Sequence, residues 1–118
     1  MIELANVSLH RGETVILDEA FVHIEGGEVV LISGPSGIGK TSLLSLIGGF
    51  LKANLGEVRV FQHDVARMRA TSTALLRRKL AFVPQELELI ADLSSLANVR
   101  LALEVCGLSR RESKSRAL

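Results

Sequence analysis

Residues 34–41 read Gly34-Pro35-Ser36-Gly37-Ile38-Gly39-Lys40-Thr41, and Ser42 follows. This is the pattern G-x-x-x-x-G-K-[ST], the phosphate-binding P-loop. Glycines let the backbone curl so that successive N–H groups converge on one point, a nest for anionic oxygens. A helix opening just after them brings its positive end to the same point. Lys40 adds a full charge, and the Thr41 hydroxyl suits Mg²⁺, which takes oxygen ligands and keeps several waters. From residue frequencies alone, a chance match in a chain this long falls well under about 1%. Context adds to this. The motif has to follow a buried strand and open a helix, and the flanking sequence predicts both.

The strand before the loop is 28–33, Glu28-Val29-Val30-Leu31-Ile32-Ser33, nearly continuous in apolar residues as in a parallel strand covered on both faces. After the loop, Leu43, Leu46, Ile47, Phe50 and Leu51 share one helical face. Gly48-Gly49 weakens the end of that helix. Upstream, residues 1–33 read as strands. Ile2 and Leu4, then Val7 and Leu9, are spaced by twos on either side of Ala5-Asn6, and residues 14–25 alternate in the same way. A turn at 10–13 and another at Gly26-Gly27 separate them. Downstream, a strand is expected over 57–61, a helical piece around 74–78, and a short buried strand over 80–83 stopped by Pro84. Helices are expected over 93–105, ended by Gly107, and from Ser109 onward. The fold class is therefore α/β: central parallel strands carrying a P-loop, preceded by an antiparallel hairpin.

Hydropathy and charge narrow the function. The chain is 47% hydrophobic, with four Phe and no Trp or Tyr, so its core is built from Leu, Ile, Val and Ala. The mean hydropathy of +0.33 is high for so small a domain, which has much surface to cover. A net charge of +1 argues against a polyanion held by bulk charge. The basic stretch 67–79 has no aromatics for base stacking and reads as a solvated face, so no nucleic acid is expected. The one cysteine, Cys106, reads as a small buried hydrophobe and points to a reducing compartment. The apolar run 43–51 is far short of the about 20 residues that span a membrane. Phe82-Val83-Pro84-Gln85 sets an amide just past a second buried strand, where parallel sheets present their ligand-facing ends.

In this order of motifs the chain resembles the ATP-binding domain of ABC transporters, and most of all the cell-division and lipoprotein-release type. The resemblance covers essentially the whole chain. It rests on the antiparallel start, Gly26-Gly27-Glu28, residues 34–42, Gly56-Glu57-Val58, Phe82-Val83-Pro84-Gln85, and the run Leu93-Ser94-Ser95-Leu96-Ala97-Asn98-Val99. It implies ATP and Mg²⁺ as cofactors. Gly34, Pro35, Ser36, Gly37, Ile38, Gly39, Lys40, Thr41 and Ser42 would wrap the nucleotide, with Thr41 and Gln85 at the metal. Gln85 would also link the metal site to a membrane permease subunit. A second ATP-binding subunit would complete a head-to-tail dimer, on the cytoplasmic face of the plasma membrane. The 118 residues would form the N-terminal part of one such domain, with 80–85 as strand and glutamine loop and 86–118 as the start of a helical subdomain.

Departures from the family pattern accompany these matches. The family stacks adenine on an aromatic residue of the first hairpin; here the nearest candidates are Leu9 and His10, and His10 reads equally well as an exposed turn residue. Pro84 stands where an aromatic usually precedes the glutamine. The family's signature Leu-Ser-Gly-Gly-Gln, its acidic strand end with the catalytic Glu and its switch His do not occur in these residues, so no catalytic residue is assigned. Two other readings stay open: a non-catalytic remnant, and a nucleotide kinase, since residues 31–40 also look like the opening of guanylate kinases. Phosphoryl transfer to water needs a group that orients the water, and none is visible here. The isolated chain is therefore expected to bind nucleotide weakly and not to turn it over. Steady ATP hydrolysis by the purified chain, abolished by Lys40→Ala, would contradict this.

Overall fold

A two-residue turn at Gly12-Glu13, with Gly12 at φ +61°, joins β1 (Ile2–Arg11) to β2 (Thr14–Ile24) as an antiparallel hairpin. The computed structural model describes residues 1–86 and 88–118. After β2 come α1 (Lys40–Ile47), β3 (Leu55–Val60), β4 (His63–Asp64), α2 (Ala70–Arg77), α3 (Ser95–Val105) and α4 (Arg110–Ala117). The chain divides into two units, Met1–Leu80 and Ala81–Leu118.

The first unit is built on a four-stranded sheet in the order β2-β1-β3-β4, with every pairing antiparallel. Strand alternation would place Leu4 and Val7 on opposite faces, yet both are buried. Asn6, at φ +52°, resolves the conflict. It bulges out and resets the register, which is why the apolar spacing breaks at Ala5-Asn6. Glu19 in β2 does likewise at φ +43°, and its N–H donates to the buried Ser8 hydroxyl at 3.1 Å. On β3, Gly56 sits against the bulge at φ +86°; a Cβ there would lie 2.2 Å from the Asn6 carbonyl oxygen. Phe61 and Gln62, both at positive φ, make the tight turn that brings His63 back to Val60.

One face of this sheet is covered by α1. Leu4, Val7, Leu9, Val58 and Val60 form a core with Leu46 and Ile47 of that helix, together with Val65 and Leu76. Each such side chain contributes about 1.5–3 kcal/mol through burial. The predicted helical face ran to Leu51, but the helix ends at Ile47. Gly49, at φ +68°, reverses the chain. Its N–H donates to the Leu46 carbonyl, and the Phe50 N–H reaches back to Ser45, which together form a Schellman cap. The same cap closes α3, where Gly107 donates to Glu104 and Leu108 to Leu103.

In the second unit, the Ser94 hydroxyl caps α3 by accepting the Ala97 N–H at 3.3 Å. Ser109 and Glu112 form a reciprocal capping box at the start of α4.

Two expectations are corrected. No strand ladder among the described residues contains 28–33 or 80–83, so the central parallel strands, including the strand part of 80–85, are not formed as a sheet here. A strand exists only where a neighbour takes its N–H and C=O groups, and among the described residues neither segment is in a ladder. Val29 is 101% exposed and Leu31 89%. Cys106, expected in the core, is exposed at the end of α3, a helix that has no buried residue. Leu87, inside the predicted 86–118 segment, lies outside the described residues.

Replacing Gly56 by Ala is expected to destabilise the first unit by about 1–3 kcal/mol, since both the backbone angle and the Asn6 carbonyl oppose a Cβ. Urea unfolding followed by circular dichroism measures this.

Candidate phosphate-binding site

The approach to residues 34–42 is set by a closed turn. The Glu28 carboxylate accepts the Glu25 N–H at 2.8 Å and folds Gly26-Gly27 between them. This explains the Gly-Gly-Glu order, two residues free to turn and one acid to hold the turn. Next to it, His23 Nε2 and Glu25 Oε1 are 2.7 Å apart on the surface. That hydrogen bond is the main reason the His23 pKa is raised and the Glu25 pKa lowered from their ordinary values.

The loop uses its glycines for different reasons. Gly34, Gly37 and Gly39 all have positive φ, at 150°, 84° and 106°. At Gly37 a Cβ would meet nothing, so only the backbone angle demands glycine. At Gly39 it would lie 2.7 Å from Ile16 Cγ2 and 3.2 Å from the Ile16 carbonyl oxygen. The hairpin strand β2 thus presses directly on the last loop glycine.

The Lys40 side chain turns back into the loop. Its ammonium donates to the Gly34 carbonyl at 2.8 Å and to the Pro35 carbonyl at 2.6 Å. An ammonium has three N–H groups, so the cation is tied to the loop with one donor left for an arriving anion. Gly39 caps α1 with no side-chain hydrogen bond, and the first turn of the helix carries no acid. The positive end of the helix is therefore uncompensated by its own residues, as an anion site requires. Thr41 is exposed on this turn, while Ser42 is half-buried. Ser42 lines a cleft of about 210 Å³ with Leu9, His10, Arg11, Ile16 and Leu51. Of the two base-stacking candidates, Leu9 is spent in the core and His10 is exposed on this cleft.

These features fit a polyphosphate: open amides, a glycine cradle that a Cβ would spoil, and a tethered cation. They also fit Mg²⁺ in a particular way. Among the described residues no three His, Cys, Asp or Glu side chains gather to hold a metal. The ion would therefore depend on few protein oxygens, with phosphate and water supplying the rest, which is its usual habit.

Gln85 belongs to the Ala81–Leu118 unit and is exposed in a bend. Asn98, which the sequence showed only as part of the run 93–99, orders the segment after Gln85. The Asn98 side-chain oxygen accepts the Ile90 N–H at 2.9 Å, and its two amide N–H groups are shared among the carbonyls of Ile90, Leu93 and Ser94 at 3.1–3.2 Å. The available signal was an Asn in the first turns of a helix, where its amide normally competes with the helical backbone.

A glycine loop opening a helix, with its lysine bound back into the loop, defines a P-loop nucleotide-binding protein. The ABC transporter family model matches residues 20–117, and the chain belongs to this family. It is 33% identical over 120 residues to the cell division ATP-binding protein FtsE of Haemophilus influenzae, covering all of this chain and 55% of FtsE. It is 39% identical over 107 residues to the lipoprotein-releasing system ATP-binding protein LolD of Granulibacter bethesdensis, covering 90% of this chain and 47% of LolD. The ATP-binding cassette MJ0796, solved as a dimer bound to ADP and Pi, superposes with a TM-score of 0.89 at 34% identity, covering 99% of this chain and 54% of that one. The P-loop NTPase fold of the ABC ATPases is thereby established, and the chain spans about half the length of these relatives. The nucleotide-kinase reading is set aside by the family match.

Gly39→Ala is expected to weaken binding of inorganic triphosphate by about tenfold or more, because β2 has no room to yield to a Cβ. Titration calorimetry checks it. An additional Ile16→Ala change, which removes Cγ2, should restore little, since the backbone carbonyl of residue 16 still opposes the methyl group.

Proposed function

We propose that the chain is the nucleotide-holding part of an ABC transporter ATP-binding subunit, taking ATP with Mg²⁺. The observation that carries this is the Lys40 ammonium tied to the Gly34 and Pro35 carbonyls at the open amide end of α1. In this reading the backbone of Gly34, Pro35, Ser36, Gly37, Ile38 and Gly39 wraps the phosphates, and Lys40 bonds their terminal oxygens. Thr41 offers its hydroxyl to Mg²⁺, and Ser42 continues the cradle toward the cleft. The base lies in that cleft against His10, which takes the place of the family's aromatic residue. Gln85 serves as the second protein ligand of the metal.

Mg²⁺ held by Thr41 and Gln85 would supply charge neutralisation for the phosphates. The chain's own residues bind and orient the phosphates, and no catalytic residue is assigned among them. Hydrolysis would draw on groups beyond those described.

We further propose that the 118 residues are the first part of one such domain, with 86–118 opening its helical subdomain. The partners would be a membrane permease subunit and a second ATP-binding subunit in a head-to-tail dimer. The dimeric MJ0796 cassette supports the second of these. FtsE and LolD are by their names ATP-binding proteins of cell division and lipoprotein release. Among the described residues no helix is long and apolar enough to cross a membrane. A peripheral position on the cytoplasmic face of the plasma membrane follows from that pairing.

Fluorescent ATP analogues test the reading. Lys40→Ala removes a charge-assisted contact and should weaken affinity by about 10–100-fold. Thr41→Ala should reduce the gain in affinity on adding Mg²⁺ while leaving metal-free binding nearly unchanged. Equal affinity of wild type and Lys40→Ala would sink the proposal.

A further inference from the structure

We infer that Arg77 is a positioning residue for the phosphate loop, acting from the opposite end of α1. The last turn of that helix carries no basic residue of its own. Its Schellman cap satisfies the carbonyls of Leu44, Ser45 and Leu46. The carbonyls of Gly48 and Gly49, which follow, are taken by one side chain from α2. Arg77 Nε donates to Gly48 at 3.3 Å, and one terminal nitrogen donates to Gly49. The same guanidinium lies 4.4 Å from the centre of the Phe50 ring. Three contacts in a row thus fall on the residues that turn the chain away from the helix.

The glycine pair makes this approach possible. A Cβ on Gly49 would lie 2.9 Å from Thr73 and 3.0 Å from Val65, so α2 and the segment before it close tightly on the turn. A planar guanidinium suits the place, because it can fork to two carbonyls and stack on a ring at once. It also puts a cation at the negative end of the helix dipole, while the positive end stays open for phosphate. Eight helical residues, about 12 Å, separate the two ends. The hairpin holds the loop end of α1 through Ile16 and Gly39, and Arg77 holds the far end, so the amides of the loop keep one direction.

Two readouts test this, and only one depends on the proposed nucleotide binding. In the purified chain, Arg77→Ala should shift the amide resonances of residues 37–42 and speed their hydrogen exchange. It should also weaken an ATP analogue by about fivefold or more. Arg77→Lys keeps the charge without the fork and should fall between wild type and Arg77→Ala. It also serves as the test variant if Arg77→Ala does not fold. Val7→Ala truncates a buried core side chain of the same unit without removing a donor to Gly48 or Gly49, and should leave the loop amides in place. Unchanged loop amides in both Arg77 variants, or the same changes in Val7→Ala, would overturn the inference. If the wild-type chain binds no nucleotide, the proposed function fails, and the amide readout still decides the role of Arg77.

Discussion

The contact on which the site depends is the one between Gly39 and Ile16. The hairpin strand β2 comes so near the loop that no side chain fits at Gly39. The loop is therefore shaped from two sides, by its own positive-φ glycines and by the wall of the antiparallel sheet. That wall is fixed in turn by its apolar face, which closes on α1 through Leu46 and Ile47. A flexible glycine run alone would lose entropy on binding an anion. A run braced against a sheet has already lost it, which is the physical basis of preorganised affinity.

Antiparallel and central segments behave differently here for one reason. β1, β2 and β3 pair within the first 60 residues, β1 and β2 through a tight turn and β3 after the loop and α1, and their bulges at Asn6 and Glu19 let one face stay apolar. Residues 28–33 have the composition of a strand covered on both faces, yet among the described residues no strand pairs with them. The high mean hydropathy is thus matched by exposed Val29, Leu31 and Val83. Apolar surface of this kind is what neighbouring strands bury in a doubly covered sheet.

Legibility followed the range of each interaction. Helix starts were readable because Ser94 and Ser109 act within three residues of themselves. The helix after the loop was read too long, because Phe50 and Leu51 keep the apolar spacing after Gly49 has turned the chain. The basic stretch 67–79 read as a solvated face, which holds for Arg67, exposed beside Asp64. Arg77 is exposed as well, but its guanidinium is bound to carbonyls 28 and 29 positions away, which the sequence did not show. Asn98 was visible as one letter of a motif, but its four bonds to the preceding segment were not.

The sequence by itself pointed to phosphate binding at residues 34–41. Three glycines, a lysine and a threonine at set spacing leave little else for residues 34–41 to do, because the donors are backbone amides and need no distant partner. It also determined the hairpin and the ends of α3 and α4, all local matters of turns and caps. Only the tertiary structure decided what braces the loop, which base-contact candidate stays free, and which arginine closes the far end of α1. Each of these rests on groups far apart in the chain, and close approach in space leaves no periodic trace along the sequence.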